Sequence, residues 1–223
     1  MATGSEELTE LGLRERKKLR TRETIVRVAF ELFSKQGFAE TTIKQIADAA
    51  EVAPRTVSAY FPVKEQLVFH DGEESLAGLR ARLTERLPGE TAVDAMRGWI
   101  AENIVANKLD LHHARCRRSL IESDPALRTY ERGQMARVEQ IVAEAVAVDL
   151  NLPADDLIPH MVGAATVAAF DALGREMKSE PIDEDIFSQA RTLIDDAMTF
   201  VGGGVQALVN RQRDADQAAH SSE

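Results

Sequence analysis

The chain has 223 residues, of which 44% are hydrophobic and 29% are charged, and its formal net charge is −10. This composition is typical of an ordinary soluble globular protein, and the length allows one large core or two modest ones. Because the chain has no apolar run of about 18 residues, no secretory-type segment near its start and only one cysteine, Cys116, we expect a cytoplasmic protein without disulfides or a membrane partner.

Charge is distributed unevenly along the chain. Residues 14–70 hold 11 Lys and Arg against 7 Asp and Glu, a balance of +4. Residues 71–223 hold 16 against 27, a balance of −11. A basic segment followed by a larger acidic one suggests an anionic partner for the first part only, although charged runs are often just solvated faces.

Helical periodicity begins early in the chain. The first predicted helix has an apolar stripe at i, i+3, i+4, i+7 and i+8, formed by Ile25, Val28, Ala29, Leu32 and Phe33. Gly37 follows, where a helix end favours a left-handed residue. A first helix ending near residue 36 is therefore predicted.

Two short helices are predicted next. Thr42 and Gln45 form a capping box for the second, and Pro54 suits the first position of the third. Val57, Tyr60 and Phe61 form the inward side of the third helix, and Pro62 ends it. A short turn, residues 51–53, joins the two helices.

The rest of the chain is also predicted to be helical. A fourth helix begins near residue 64 and ends at 88–90. Further helices are predicted at about 91–109, 113–123, 125–149, 156–178 and 183–210, with Thr91 and Asp124 as N-caps. Strand patterns are scarce, so the predicted fold class is all-α, with polar tails at 1–13 and 211–223.

Two short helices joined by a tight turn behind a first helix form a helix-turn-helix arrangement. The second helix of such a pair fits the DNA major groove, and flanking residues hold phosphates. A plain solvent-exposed helix pair is the alternative. The predicted DNA-contacting residues are Thr42, Lys44, Pro54, Arg55, Thr56, Ser58, Ala59, Tyr60 and Lys64.

The segment from Arg22 to Val68 resembles the DNA-binding domain of the TetR/AcrR family of transcriptional regulators. The resemblance is carried by Ile25, Ala29, Leu32, Phe33, Gly37, Thr42, Ile46, Ala47, Ala50, Val52, Tyr60, Phe61, Lys64 and Leu67. It implies a helix-turn-helix DNA-binding domain at 14–63, followed by a helical ligand-binding and dimerisation domain at 64–210. The later residues match the family only in length and helicity.

Three residues depart from the family pattern. Glu51 stands where glycine is usual, so we expect a left-handed residue with a side chain at about 1 kcal/mol. Ala53 replaces a capping Ser, and Val63 replaces a small polar residue. A basic run also precedes the predicted first helix, either as an arm on DNA or as a solvated run: Arg14, Arg16, Lys17, Lys18, Arg20 and Arg22.

The resemblance implies a repressor that a small-molecule effector releases from a palindromic double-stranded DNA operator. It also implies a homodimer, with an interface on the last two long helices, where residues 163–170 are mostly small. An activator of the same build and a helical interaction module without DNA binding are the alternatives. No nucleophile elbow, nucleotide loop or H-E-x-x-H motif is present, so no enzyme and no cofactor are predicted.

The predicted effector-binding residues form an apolar set with one amide, and plain core packing is the alternative for each of them: Met96, Trp99, Ile100, Asn103, Met135, Val138, Met161 and Phe170. His112 and Cys116 share a helical face, but a closed zinc site needs four ligands, so no metal site is predicted. The triplet 202–204, all glycine, either breaks the last helix or permits a close crossing.

Overall fold

The structure is all-helical in the part of the chain that it describes. This computed structural model describes residues 12–106, 111–176 and 186–220, which contain no strand, so the all-α prediction is confirmed. The helices are α1 Leu13–Gln36, α2 Ile43–Ala49, α3 Pro54–Tyr60, a 3₁₀ helix Lys64–Leu67, α4 Gly72–Thr84, α5 Ala92–Ala106, α6 Leu111–Ser123, α7 Pro125–Leu150, α8 Leu157–Glu176 and α9 Ile186–His220. None of these helices is both long enough and apolar enough to cross a membrane.

Local sequence signals account for several helix ends. α1 ends before Gly37, whose φ of 85° is a left-handed conformation that glycine adopts without strain. The capping box of Thr42 and Gln45 starts α2, and Pro54 is the first residue of α3. These predictions are confirmed.

Side chains also cap α5 and α7, as predicted. Thr91 Oγ1 accepts a hydrogen bond from the Asp94 N–H at 3.1 Å. Asp124 Oδ1 accepts one from the Ala126 N–H at 2.8 Å. Each bond satisfies a backbone donor that the first helical turn leaves unpaired.

The segment after α3 differs from the predicted fourth helix. The sequence predicts a helix from about residue 64, but a 3₁₀ helix occupies 64–67 and α4 begins only at Gly72. Leu67 and Val68 are both fully buried, and the ring of Phe69 packs on that of Tyr130 at 5.1 Å. Successive residues with tertiary contacts do not fit the single apolar stripe of an amphipathic helix.

The last helix is longer than the sequence predicts. The periodicity predicts an end near residue 210, whereas α9 continues to His220. Residues 211–220 contain neither Gly nor Pro, so nothing in them stops a helix. They carry no apolar stripe either, which is why a periodicity criterion does not find them. Of the predicted tails, residues 1–11 and 221–223 lie outside the described part of the chain.

The first of two compact units contains the helix-turn-helix. It comprises the described residues up to Gly72 together with Cys116–Tyr130. Its core joins residues from all three N-terminal helices to the later segment: Ile25, Ala29, Phe33, Ile46, Ala47, Val57, Phe61, Leu67, Val68, Leu120, Ile121 and Leu127. Arg117 also donates to Asp71 at 3.1 Å. The predicted domains are contiguous, so they do not include this contribution of the later segment.

The second unit comprises Glu73–Arg115 and the described residues from Glu131 onward. Its core draws on α4, α5, α7 and α9, and its members include Leu76, Leu79, Leu83, Ala95, Met96, Ile100, Val142, Val146, Met198, Val201 and Val205. Gly163 lets α8 approach α7, because a Cβ at this position would lie 2.6 Å from the Glu139 carbonyl oxygen. The division at 14–63 and 64–210 stays a prediction.

Candidate nucleic-acid interface

The turn between α2 and α3 determines the orientation of α3 relative to α2. Glu51 has a φ of 55°, so the left-handed conformation predicted for this residue is confirmed. The Val52 N–H donates to the Ala47 carbonyl at 2.9 Å, and the Glu51 N–H donates to the Asp48 carbonyl at 3.3 Å. These two bonds form a Schellman motif, which closes α2 and turns the chain directly into α3.

α3 is anchored on one side and exposed on the other. Val57 and Phe61 are buried in the core of the first unit, which holds the helix in place. Ala53 precedes α3 and makes no side-chain cap, as its methyl group predicts. Of the predicted DNA-contacting residues on α3, Pro54, Arg55, Ser58 and Ala59 are exposed, and Thr56 and Tyr60 are half-buried.

Arg55 is the cation of the exposed side of α3. Its guanidinium has no hydrogen-bond or ion-pair partner within the described part of the chain. A free guanidinium can donate two parallel hydrogen bonds to O6 and N7 of guanine in the major groove. Ser58 and Ala59 add a hydroxyl group and a methyl group, which suit polar base edges and the thymine methyl. This side of α3 therefore has the chemistry of a base-reading surface.

Thr42 and Lys44 lie exposed at the start of α2. Thr42 Oγ1 accepts from the Gln45 N–H at 3.2 Å, and Gln45 Oε1 accepts from the Thr42 N–H at 2.8 Å. Lys44 Nζ lies 2.7 Å from Asp48 Oδ2. Exposed pairs of this kind contribute only a few tenths of a kcal/mol, so Lys44 can exchange Asp48 for a phosphate at little cost.

Lys64 has an environment different from the predicted one. Its Nζ donates to the carbonyls of Phe38 at 2.8 Å, Thr41 at 3.0 Å and Ala39 at 3.4 Å, and lies 4.2 Å from the centroid of the Phe38 ring. An ammonium group has three donor hydrogens, so none is left for a phosphate. This geometry argues against the predicted phosphate contact and assigns Lys64 to holding the loop before α2.

The basic run near the start of the chain is helical. Because α1 begins at Leu13, it includes Arg14, Arg16, Lys17, Lys18, Arg20 and Arg22, and the interpretation that they precede the helix is wrong. Residues 13–22 contain no Gly or Pro, so the helix continues through them. Arg22 donates to the His70 carbonyl, and its guanidinium lies 5.5 Å from the centroid of the Phe61 ring.

The predicted effector-binding residues lie in different environments within the second unit. Met96 and Ile100 are buried in its core, and Trp99 and Val138 are half-buried against that core. Met135 and Met161 are exposed. The side chains of Asn103 and Phe170 lie outside the described part of the structure. The set therefore does not line one common cavity among the residues described, and its role in binding stays a prediction.

An open cleft of about 650 Å³ lies between the start of α5 and the middle of α9. Val93, Met198 and Val205 line it with apolar surface, and Thr91, Arg97 and Thr199 add polar groups. Of the predicted effector-binding residues whose side chains the structure describes, none lines this cleft. Sequence reasoning missed it, although the glycine triplet on its α9 side was a signal.

The glycine triplet does not break α9, which is helical through residues 202–204. A Cβ at Gly202 would lie 3.3 Å from Val93 Cγ1, so glycine permits a close crossing of α9 and α5 there. At Gly203 and Gly204 such a Cβ would meet no heavy atom within 4 Å. At these glycines the surface of α9 therefore consists of backbone atoms that no side chain covers.

Ion pairs border this cleft. Arg82 binds Glu90 through both guanidinium Nη atoms, and the Leu87 N–H donates to the same carboxylate at 2.9 Å. The hydrogen bond from Arg82, helped by the one from Leu87, lowers the pKa of Glu90 to about 2. Glu90 is therefore ionised at neutral pH and already paired.

No group of three or more metal-binding side chains occurs among the described residues. The side chain of His112, which shares a predicted helical face with Cys116, lies outside the described part of the structure. The absence of a metal site from the whole chain stays a prediction.

Comparison with known proteins finds relatives for both halves of the chain. Residues 25–70 match the family described as bacterial regulatory proteins, tetR family, and residues 90–206 match the family described as MftR C-terminal domain. The HTH-type transcriptional regulator TcmR of Streptomyces glaucescens is 36% identical, in a match that covers 76% of this chain and 76% of TcmR.

Solved structures share the fold. The SmeT–triclosan complex has a TM-score of 0.60 at 17% identity, covering 81% of this chain and 90% of SmeT. NalD, described as the secondary repressor of the MexAB-OprM multidrug efflux pump in Pseudomonas aeruginosa, has a TM-score of 0.56 at 19% identity, covering 82% and 96%. At these identities the likeness establishes the fold alone.

Proposed function

The chain belongs to the tetR family of bacterial regulatory proteins, and we propose that it is a repressor that leaves a palindromic operator when a small molecule binds to its second unit. Family membership makes the chain a DNA-binding transcriptional regulator and not an enzyme, in agreement with the prediction from the sequence. The proposal adds the direction of regulation, the symmetry of the operator and the release by a ligand.

The proposed mode of DNA reading rests on one observation, the free guanidinium of Arg55. It lies on the exposed side of a helix whose other side is fixed by buried Val57 and Phe61, and no acidic partner in the described chain occupies it. A base-reading helix must be held rigidly on the protein, because a bidentate contact requires the guanidinium to be aligned with a guanine edge. Thr42 and Lys44 at the start of α2 are the proposed phosphate contacts.

A homodimer is proposed because α8 and α9 leave large apolar side chains in solvent. Leu157 and Met161, one helical turn apart on α8, are 71% and 59% exposed, and Phe200 on α9 is 77% exposed. Gly203 and Gly204 follow Phe200 on the same face of α9, at i+3 and i+4, and their open backbone suits close approach of another helix. Two-fold symmetry would place two α3 helices about 34 Å apart, on successive major-groove segments.

Small-molecule release is proposed for the second unit. The fold neighbour SmeT is described in complex with triclosan, and NalD is described as a repressor. In this chain, Met96, Trp99, Ile100 and Val138 stay candidate effector contacts around the second core, and the cleft between α5 and α9 is a further candidate.

Selection of bound duplexes from a random pool with the full-length protein tests the operator. We expect recovered sequences to share two inverted half-sites whose centres are about 10 base pairs, or a multiple of this, apart. Recovery of no shared sequence would contradict DNA reading by this protein, and a single unrepeated half-site would contradict the two-fold operator.

Arg55→Ala tests base reading on the selected duplex. Loss of a bidentate guanine contact should weaken binding by about 1–3 kcal/mol and relax the preference at one position of each half-site. Lys35→Ala, which removes another exposed cation without a partner in the described chain, is the matched control and should leave the preference unchanged. An unaltered preference in Arg55→Ala would remove Arg55 as the base-reading residue.

Transcription in vitro tests the direction of regulation. With the selected duplex placed across a bacterial promoter, we expect the protein to lower the transcript level. An increase would instead support an activator of the same build.

A further inference from the structure

We propose that the cleft between α5 and α9 binds organic cations with an apolar ring system, and that such cations are the effectors that release the protein from DNA. The effector role rests on the proposed function, whereas the binding itself does not. The cleft lies within the second unit, where the first two turns of α5 face the middle of α9. Its volume of about 650 Å³ is in the range of sites for drug-sized molecules.

The inner surface of the cleft is apolar. Val93 on α5 and Met198 and Val205 on α9 line it, and none of the three is more than 5% exposed. A Cβ at Gly203 would meet no heavy atom within 4 Å, so the α9 wall leaves open space there. A ring system placed in the cleft would therefore bury apolar surface without displacing side chains.

The polar groups at the cleft include acceptor oxygens without a partner. Asp94 Oδ2 accepts hydrogen bonds from Thr91 Oγ1 at 2.6 Å and from the Thr91 N–H at 3.3 Å, whereas Asp94 Oδ1 has no partner in the described chain. Gln206 donates through Nε2 to Asn210 Oδ1 at 3.0 Å, which leaves Gln206 Oε1 free to accept. An ammonium group, which has three donor hydrogens and no acceptor, complements these oxygens.

The charges at the cleft leave one carboxylate uncompensated. The other charged groups that line it have partners of opposite charge: Glu90 with Arg82, Asp149 with Arg86, and Arg97 with Asp195. Asp94 is exposed and has no cationic partner among the described residues. This excess of one negative charge favours a monovalent cation over an anion.

The N-terminus of α5 does not turn the cleft into an anion site. A helix N-terminus binds anions through N–H groups that lack a partner. In this chain the Ala92 N–H donates to Asp149 Oδ2 at 2.7 Å, and the Asp94 N–H donates to Thr91 Oγ1 at 3.1 Å. These donors are therefore already used, and the Asp94 carboxylate beside them would repel an anionic ligand.

The cleft and the face proposed for dimerisation lie on different sides of α9. At about 100° per residue, Gly202 and Gln206 lie about 160° and 120° around the helix from Phe200. A second copy of the chain packed on Phe200 would therefore leave the cleft open to a ligand. Gly203 lies between the two sides, so a ligand in the cleft would border the dimer contact. This position is the physical basis for the proposed release from DNA.

The binding test uses the full-length protein without DNA and two probes that share one ring system. 1-Naphthylmethylamine carries an ammonium group, and 1-naphthoate carries a carboxylate on the same naphthalene ring. Isothermal titration calorimetry measures the affinity of each probe for the wild type and three variants, and circular dichroism checks that all four proteins have the same helix content.

The three variants separate charge from space. Asp94→Asn removes the uncompensated charge but keeps a side-chain oxygen for the bonds from Thr91. Thr199→Trp fills the cleft without changing its charge, because Thr199 is an exposed lining residue. Asp155→Asn is the matched control, since it makes the same substitution at an exposed carboxylate of the second unit that does not line the cleft.

If the proposal is correct, the wild type binds one amine per chain with a Kd on the order of 0.1–1 mM, as a ligand of about 12 non-hydrogen atoms allows. Asp94→Asn should bind the amine roughly tenfold more weakly, because a hydrogen bond between charged groups is lost. Thr199→Trp should not bind it, and Asp155→Asn should bind it like the wild type. The naphthoate should bind the wild type at least roughly tenfold more weakly than the amine.

The release test adds the selected duplex. With the amine at about ten times its wild-type Kd, the affinity of the wild type and of Asp155→Asn for the duplex should fall by up to about tenfold. Under the same conditions Asp94→Asn should lose no more than about twofold, because its site is only half occupied.

Equal amine affinity of the wild type and Asp94→Asn, naphthoate binding as tight as amine binding, or no amine binding at all would each overturn the proposal. The proposed function would stand in these cases, provided that the wild type still prefers the selected duplex. Amine binding that leaves the duplex affinity unchanged would overturn the effector role of the cleft. A wild-type protein without preference for any duplex would contradict the proposed function, and the calorimetry would still decide whether the cleft binds cations.

Discussion

The two compact units use their cations differently. In the first unit, several guanidinium and ammonium groups have no partner within the described chain, namely those of Arg14, Lys17, Lys18, Arg20 and Arg55. Others in this unit pair with carboxylates, such as Lys44 with Asp48 and Arg117 with Asp71. In the second unit, arginines bind carboxylates on other segments: Arg137 to Glu73, Arg80 to Glu144, Arg86 to Asp149 and Arg82 to Glu90. Cations without partners are available to an anionic ligand, whereas paired ones are already neutralised by a carboxylate of the same chain.

The pairs of the second unit also follow a pattern. Glu73 and Arg80 on α4 bind residues seven apart on α7, Arg137 and Glu144, and both numbers rise in the same direction. α4 and α7 therefore run parallel where they are joined, with a pair every two turns. The net charge of −10 does not reveal this difference in how the two units pair their cations, because most Asp and Glu residues lie beyond residue 70.

The largest effect on stability is expected when a buried ion pair of the second unit is removed. Asp149 binds Arg86 and accepts the Ala92 N–H at 2.7 Å, and the side chains of Asp149 and Arg86 are each 14% exposed. Asp149→Ala leaves a largely buried guanidinium and a helix N–H without partners. We expect the free energy of unfolding in urea to fall by about 3 kcal/mol.

Glu144→Ala is the matched control for that change, because its pair with Arg80 is more exposed. We expect a loss below about 1 kcal/mol. Equal losses in the two variants would show that burial does not determine how much each ion pair contributes to the free energy of unfolding.

Within the first unit, Lys64 is one of the cations that do have partners, and it binds backbone carbonyls instead of a carboxylate. Since its ammonium binds three carbonyls, Lys64→Ala should lower the free energy of unfolding by about 2 kcal/mol. Lys35→Ala, at an exposed position, should change it by less than about 0.5 kcal/mol. Unchanged stability with uniformly weaker DNA binding would restore the predicted phosphate contact.

A smaller effect is expected at the turn before α3. Glu51 holds a φ of 55°, so Glu51→Gly should raise the free energy of unfolding by about 1 kcal/mol. Glu40→Gly, in the loop before α2 and without a positive φ, should lower it slightly. A loss of stability in Glu51→Gly would mean that the Glu51 side chain contributes more than its conformation costs.

The smallest effect concerns pH. Because Arg82 lowers the pKa of Glu90 to about 2 from a usual value of 4.5, their pair stabilises the second unit above pH 4.5. This contribution is lost as the pH falls from about 4.5 through 2. The stability difference between wild type and Glu90→Gln should therefore be constant at neutral pH and shrink below pH 4.5. A difference that persists at pH 2 would contradict this assignment.

Local chemistry explains which parts of the fold are predictable. The capping box at Thr42, Pro54 at the start of α3 and the left-handed Glu51 depend on residues within one turn of each other, so the sequence alone indicates them. The base-reading edge of α3 follows from the same periodicity. Its exposure agrees with the prediction, although contact with DNA stays a prediction.

Long-range contacts explain what the sequence does not reveal. Lys64 binds carbonyls more than 20 residues away, and no spacing rule distinguishes such a lysine from an exposed one. The cleft between α5 and α9 depends on side chains about 100 residues apart. The basic run was separated from α1 because it lacks an apolar stripe, although its residues are good helix formers.

The contribution of Leu120, Ile121 and Leu127 to the first core also has a consequence during synthesis. A ribosome that has translated Gly72 has made the whole helix-turn-helix but not the residues that complete its interior. The roughly 60 codons up to Tyr130 take about 3–12 s to translate. For that interval the emerging segment has an incomplete apolar interior, which makes it a natural client for nascent-chain chaperones.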